Sequence, residues 1–219
     1  MTGLFGKIPA HGDFITRSLA QGFVNVWDEW LQCIVAGSRE QLGEQWLEYY
    51  LTCPIWRFAV HSGVVDGQAW AGILVPSVDS VGRYFPLTIA APLNSHINLY
   101  AFMDEAQSWF TALESAALSA LHDQCSADDL LALLPEPPVM GQKGSVYTRS
   151  NGNLLCLGGS GSTFSAIFPS IFQDQKPASL WAVPANDFNP ASAFIAFGLP
   201  SPAEYTAMLS ADWQENSLF

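Results

Sequence analysis

A polar loop near the middle of the chain holds the residues best suited to chemistry. Ser77, Asp79, Ser80 and Arg83 stand close together between two apolar runs. A serine hydroxyl can act as a nucleophile when a histidine removes its proton and a carboxylate orients that histidine. In a small hydrolase of this kind, Ser77 or Ser80 would be the nucleophile, His61 the base and Asp79 the orienting carboxylate. The residue types are present, but the loop lacks the G-x-S-x-G pattern of a nucleophile elbow.

The same loop also fits a purely structural role. Asp79 and Arg83 carry opposite charges four residues apart, and Pro76, Gly82 and Pro86 restrict the backbone around them. Paired charges in ordered loops mostly hold the loop together. The sequence therefore predicts a packed loop, and it leaves open whether the charged side chains serve the scaffold or a partner.

A second charged loop follows a short strand predicted from Leu4 to Ile8. Asp13 and Arg17 lie in or just after this loop. Neighbouring strand ends could bring this pair to one edge of the sheet, beside the pair in the central loop. We therefore predict one shared charge cluster, either structural or partner-binding, formed by Asp13, Arg17, Asp79 and Arg83.

No complete metal or nucleotide motif is present in the sequence. His11, His61, His96 and His122 lie far apart, and none forms an H-x-x-x-H or H-x-x-E-H pair. The glycine-rich run at 158–162 could offer backbone N–H groups to an anion, but the lysine of a phosphate loop is missing. We expect no cofactor, and neither tight nucleotide binding nor tight metal binding.

The hydrophobic pattern around the central loop predicts three antiparallel strands in a meander over 55–92. Apolar runs flank the loop on both sides, and Asp66-Gly67 is a strong hairpin signal before the second strand. Such a sheet needs helices to cover its faces. The mixed order of strands and helices favours a single layered α/β (α+β) domain over 1–219, with a mostly antiparallel central sheet flanked by helices.

Apolar residues at helical spacing predict the covering helices. The first passes through Phe23 and Ile34, and Ser38 fits the capping box of a separate second helix. The later predictions are a long helix over 102–117, a short helix capped by Ser126, a turn-rich span over 135–163 with strands at 146–147 and 154–157, strands at 179–184 and 193–197, and a last helix over 203–209.

Composition and charge limit the possible partners. Of 219 residues, 49% are hydrophobic and 13% are charged, which excludes a disordered chain. Eight Lys and Arg against twenty Asp and Glu give a formal net charge of -12, which disfavours phosphate backbones and anionic lipids. We expect no nucleic-acid binding and no membrane insertion.

The sequence has no secretion-signal pattern and no C-x-x-C pair. We therefore expect a cytoplasmic protein with free thiols.

Several uncommon strings, in a fixed order, resemble those of one protein family. They are Leu4-Phe-Gly-Lys-Ile-Pro-Ala-His-Gly-Asp-Phe-Ile-Thr-Arg17, Trp27-Asp-Glu-Trp-Leu31, Pro76-Ser-Val-Asp-Ser-Val-Gly-Arg-Tyr-Phe-Pro-Leu87, Ser179-Leu-Trp181 and Gly198-Leu-Pro200. Together they resemble the TagF/ImpM family of type VI secretion accessory proteins. The sequence departs from the family pattern at Ala182, where the family often has a second tryptophan.

The resemblance implies a cytoplasmic, non-catalytic bacterial protein that regulates type VI secretion after translation. It implies negative regulation, opposed to the kinase-driven activation of the apparatus. The implied partner is the forkhead-associated-domain scaffold protein of that system. The residues alone are compatible with any protein-binding module, and they leave the oligomeric state open.

Overall fold

One antiparallel sheet of seven strands runs through the computed structural model of the chain. The structure describes residues 1–94, 97–123, 125–140, 145–148, 154–157, 167, 177–185 and 190–213. The strands are β1 (Gly3–Gly6), β2 (Ile15–Arg17), β3 (Trp56–Val60), β4 (Ala69–Val75), β5 (Leu87–Leu93), β6 (Ser145–Thr148), β7 (Leu154–Leu157), β8 (Ala178–Val183) and β9 (Ser192–Phe197). The seven-stranded sheet has the order β2-β1-β5-β4-β3-β8-β9, and β6 pairs with β7 in a separate two-stranded sheet.

Helices cover the two faces of the large sheet. They are α1 (Gln21–Leu42), α2 (Trp46–Thr52), α3 (Leu99–Glu105), α4 (Gln107–Asp123), α5 (Ala127–Leu133) and α6 (Pro202–Ser210). On one face α1 packs with α2 and α6. On the other face α3 contacts β3, α4 contacts β4, and α5 contacts α4 and β2. Within the described ranges, no helix combines the length and the apolarity needed to cross a bilayer.

The central strand β4 shows why the two layers form. All seven of its residues are buried, as expected for a strand with a helix layer on each side. Successive side chains alternate between faces, so Trp70 and Leu74 join the core beneath α1, whereas Ala71 and Ile73 join the core beneath α4. The core beneath α1 is rich in aromatic rings, and Trp27 at its centre is fully buried.

The predicted meander and the fold class are confirmed. Strands β3, β4 and β5 pair antiparallel, with Trp56 opposite Leu74 and Ile73 opposite Ile89. The connection between β3 and β4 spans residues 61–68, so it is longer than the two-residue turn that Asp66-Gly67 indicates. Within it, the Asp66 side chain accepts hydrogen bonds from the Gln68 backbone (2.8 Å) and from Trp70 Nε1 (2.9 Å). Strands β6 to β9, the capped helix α5 and the final helix α6 also lie where the sequence predicts them.

Two predicted helix boundaries are wrong. Ser38 does not begin a helix but lies buried within α1, where its Oγ donates to the Val35 carbonyl (3.1 Å) and accepts from Trp46 Nε1 (2.9 Å). The predicted long helix is divided into α3 and α4, because the helical conformation is interrupted at Ala106. The first of these begins at a cap, since the Asn98 side chain accepts from the backbone N–H groups of Tyr100 and Ala101.

Candidate functional site

A buried carboxylate, Asp79, lies at the centre of the loop between β4 and β5. Its side chain is 0% exposed, and its Oδ2 accepts from Lys7 Nζ and from Arg83 Nε, each at 2.7 Å. Its Oδ1 accepts from the backbone N–H groups of Val81 (3.1 Å) and Arg83 (2.8 Å). Both carboxylate oxygens therefore accept hydrogen bonds: Oδ2 accepts two from cationic side chains, and Oδ1 accepts two from the backbone.

Opposing effects set the pKa of Asp79. Burial by itself raises this pKa, but the hydrogen bonds from Lys7 and from the backbone and side chain of Arg83 lower it by more. The pKa of Asp79 therefore lies well below its usual range. The carboxylate is charged at neutral pH and is poorly suited to act as an acid or a base there.

Lys7 is the site residue that the sequence analysis missed. It follows β1, its side chain is only 5% exposed, and its Nζ lies 4.8 Å from the centre of the Phe14 ring. A lysine is almost never buried unless it is paired. Its place in the otherwise apolar run from Leu4 to Ile8 was a signal that it needs a buried partner.

Backbone and side-chain hydrogen bonds join the central loop to the amino-terminal loop. Ser77 Oγ donates to the Lys7 carbonyl (2.6 Å), and the Ser80 N–H donates to the His11 carbonyl (2.9 Å). The Arg83 guanidinium donates to the carbonyl of Gly12. The two loops therefore form one packed unit, as the sequence predicts for the central loop.

Exposed side chains of these joined loops form a surface of mixed character. Phe14 is 48% exposed, Val81 is 67% exposed, and the Arg83 side chain is 56% exposed. Phe14 is held in place by Phe85, whose ring centre lies 4.9 Å from its own. We call Asp13, Phe14, Val81 and Arg83 the two-loop surface.

The structure divides the predicted four-residue cluster. Asp79 and Arg83 are paired, but Arg17 pairs instead with Asp128 of α5, with Nε 2.6 Å from Oδ1. This bond raises the pKa of Arg17 and lowers that of Asp128, and the pair lies at the surface. Asp13 is exposed on the two-loop surface. Arg17 pairs with Asp128 because it lies in strand β2, which packs against α5. The amino-terminal cation that reaches Asp79 is therefore Lys7.

The structure does not assemble the residues of the alternative hydrolase. His61 follows the end of β3 that pairs with Trp70, whereas Ser77 follows the opposite end of β4. Six residues of extended strand separate the two ends by roughly 20 Å. His61 Nδ1 lies 2.8 Å from the Ala178 carbonyl, and Asp79 is engaged by the two cations. Ser80 lies in the same distant loop as Ser77.

The structure also places some of the histidines considered as metal ligands. His11 Nε2 accepts from the Ala127 N–H (3.1 Å) at the start of α5. Among the residues that the structure describes, no three His, Cys, Asp or Glu side chains are grouped to hold a metal ion. His96 and the glycine-rich run at 158–162 lie outside the described residues.

Cys33, Cys53 and Cys125 are free thiols, and burial raises the pKa of Cys53 to about 12.

The fold and the site define a class of protein: a layered α/β domain with an open antiparallel sheet, in which a buried Lys–Asp–Arg group joins two loops. Residues 3–136 match the model of the TagF N-terminal domain family, which is described as type VI secretion system-associated. The chain belongs to this family, and the resemblance seen in the sequence is confirmed.

Comparison with solved structures shows a similar protein over the full chain. The crystal structure of PA0076 from Pseudomonas aeruginosa PAO1 is 32% identical in sequence, with a TM-score of 0.81. The similarity covers 100% of this chain and 98% of that chain. A comparison with curated proteins found no match.

Proposed function

We propose that this protein is a non-enzymatic, cytoplasmic accessory protein of the type VI secretion system. It lowers secretion after translation by binding the forkhead-associated-domain scaffold protein of that system. Membership of the type VI secretion system-associated family supports the accessory role. The partner and the direction of regulation follow from the family resemblance.

The two-loop surface is the part of the protein at which we expect the partner to bind. Exposed apolar side chains beside a charged group, held on ordered loops, are typical of a contact that forms with little conformational cost. Phe14 and Val81 supply the apolar part, and Arg83 supplies the charge. The buried pair of Lys7 and Asp79 fixes the loops beneath them. This surface lies within the part of the chain that matches the family.

Co-purification with the scaffold protein, combined with a secretion assay on overexpression, tests this proposal. We expect the wild type to co-purify and to lower secretion. Val81→Asp places a charge on the two-loop surface at a side chain that is already 67% exposed, so it should weaken binding at least tenfold without unfolding the protein. Leu51→Asp is the matched control, because Leu51 is 58% exposed on α2. Absence of the complex, with unchanged secretion, would reject the proposed function.

A further inference from the structure

An open groove lies at the β8–β9 end of the sheet, on the face that α3 and α4 cover. Strands β8 and β9 extend the sheet beyond β3, and α3 and the start of α4 form one wall of the groove. Its volume is about 490 Å³. The two-loop surface lies near β1 and β5, so the groove is a separate feature of the molecule and its role does not depend on the proposed function.

The floor of the groove is apolar and is formed by β8 and by β9, which is the last strand at this end of the sheet among the residues that the structure describes. Leu180 lies opposite Ile195, and Ala182 lies opposite Ala193, so these four side chains share one face of the sheet. Ile195 is 39% exposed. Exposed edge strands usually carry charged residues or proline that prevent pairing with other chains. The β9 sequence Ser-Ala-Phe-Ile-Ala-Phe has neither.

The wall of the groove carries negative charge. Asp104 of α3 is exposed there. Arg57 also lines the groove, but its side chain is only 6% exposed, and its guanidinium donates to both carboxylate oxygens of Glu114 (2.6 and 2.8 Å). It donates further bonds to Gln107 and Thr111. The charge of Arg57 is therefore neutralised by Glu114 inside the protein. The charged side chain that remains open to a ligand in this wall is Asp104.

We propose that this groove binds an amphipathic helix of a partner protein, with apolar residues on the floor and Lys or Arg beside Asp104. A helix there would continue the layer formed by α3 and α4. The six-residue strands of the floor extend about 20 Å, which matches a helix of about 13 residues. Helices with one apolar stripe commonly dock into grooves of this kind.

Charge favours a basic partner over the other possible occupants. A second copy of this chain would bring another formal charge of -12, and like charges oppose association. The chain's own segment 158–176 has Lys176 as its single basic residue, two positions after Asp174 in the sequence. A segment with one lysine offers Asp104 no row of basic residues, and a second copy adds net negative charge.

Two labelled synthetic helical peptides of 14 residues test the proposal by fluorescence anisotropy with the full chain. Both carry the same leucine stripe, and their flanking positions are Lys in one and Glu in the other. We expect the Lys peptide to bind at least tenfold more tightly, and Asp104→Lys to reverse that preference. Asp123→Lys is the control, because it makes the same charge change at the far end of α4. No binding, equal binding of both peptides, or an unchanged preference in Asp104→Lys would overturn the proposal.

Ile195→Lys tests the floor and separates the other occupants. We expect the variant to lose at least tenfold in affinity for the Lys peptide while its melting temperature stays within a few degrees of the wild type. If the wild type rejects both peptides and Ile195→Lys melts much earlier, the chain's own segment covers the floor. If sedimentation shows a wild-type dimer that Ile195→Lys dissociates, a second copy covers it. Either result would overturn the proposal.

Discussion

At the scale of single residues, Asp79 is the centre of the candidate site because it is a buried charge that accepts hydrogen bonds from Lys7, Val81 and Arg83. Removing one member of a buried ion pair leaves the other charge without compensation in a poorly solvated place. Lys7 is buried with Asp79, whereas more than half of the Arg83 side chain is exposed to solvent. The three residues should therefore contribute unequally to stability.

We expect Asp79→Ala to lower the free energy of unfolding by about 3 to 5 kcal/mol, because it leaves Lys7 buried and unpaired. Arg83→Ala should cost about 1 kcal/mol, since Asp79 keeps Lys7 and its backbone donors and Arg83 is largely solvated. Urea unfolding measures both values. The loss in the double variant Lys7→Ala, Asp79→Ala should be less than the sum of its single losses. Equal losses for Asp79→Ala and Arg83→Ala would contradict this ranking.

The lowered pKa of Asp79 predicts a specific dependence of stability on pH. The unfolded carboxyl has a pKa of about 3.9, and in the folded protein this pKa is lower, so the folded state binds fewer protons in that range. The stabilisation by Asp79 is therefore complete above about pH 4 and is lost as the pH falls toward the folded pKa. The difference in unfolding free energy between wild type and Asp79→Asn should narrow below about pH 4. Denaturant titrations across this range would show it, and a constant difference would argue against the assignment.

Only part of the site could be predicted from the sequence. Asp79 and Arg83 are four residues apart, so their pairing is local and the residue types indicate it. Lys7 is separated from Asp79 by 72 residues, and Arg17 is separated from Asp128 by 111. These pairs depend on the order of the strands, which local patterns do not determine.

At the scale of elements, alternating apolar residues and turn signals predict the meander, whereas helical periodicity does not determine where a helix begins or ends. A serine followed three residues later by glutamine or glutamate, as in Ser38-Arg-Glu-Gln41, is typical of a capping box. The same serine can instead donate to a carbonyl within a helix, as Ser38 does. The break at Ala106 has no proline or glycine to indicate it. Packing of α3 on β3 and of α4 on β4 decides where each helix lies.

Gly72 gives the sharpest prediction at this scale, because the β4–β5 pairing leaves no room for a side chain. A Cβ at Gly72 would overlap the carbonyl oxygen of Ile89 and crowd Ala90, and both are backbone atoms that cannot move without disturbing the strand. We expect Gly72→Ala to lower the free energy of unfolding by about 3 kcal/mol. Gly67→Ala is the matched control, because a Cβ there has nothing within 4 Å. Similar unfolding curves for the two variants would contradict the β4–β5 register.

At the scale of the whole molecule, the sheet joins two distant parts of the chain. Strand β8 pairs with β3, with Trp181 opposite Phe58, and α6 packs on α1. Trp30 Nε1 donates to the Pro200 carbonyl (2.7 Å), which adds a bond between these parts. The family match ends at residue 136, so β8, β9 and α6 lie beyond it and yet complete the same core.

We therefore expect residues 1–136 alone not to fold stably, which tests the prediction of a single domain over 1–219. Without β8 and α6, strand β3 would become an exposed edge, and the buried rings of Phe58 and Trp27 would lose Trp181 as a neighbour. Circular dichroism should show no cooperative melting transition, and size-exclusion chromatography should show aggregates. Co-expression with residues 137–219 should restore a soluble complex, because it returns the missing strands and helix. A monomeric 1–136 fragment that melts within a few degrees of the full chain would show instead that the first part is a domain by itself.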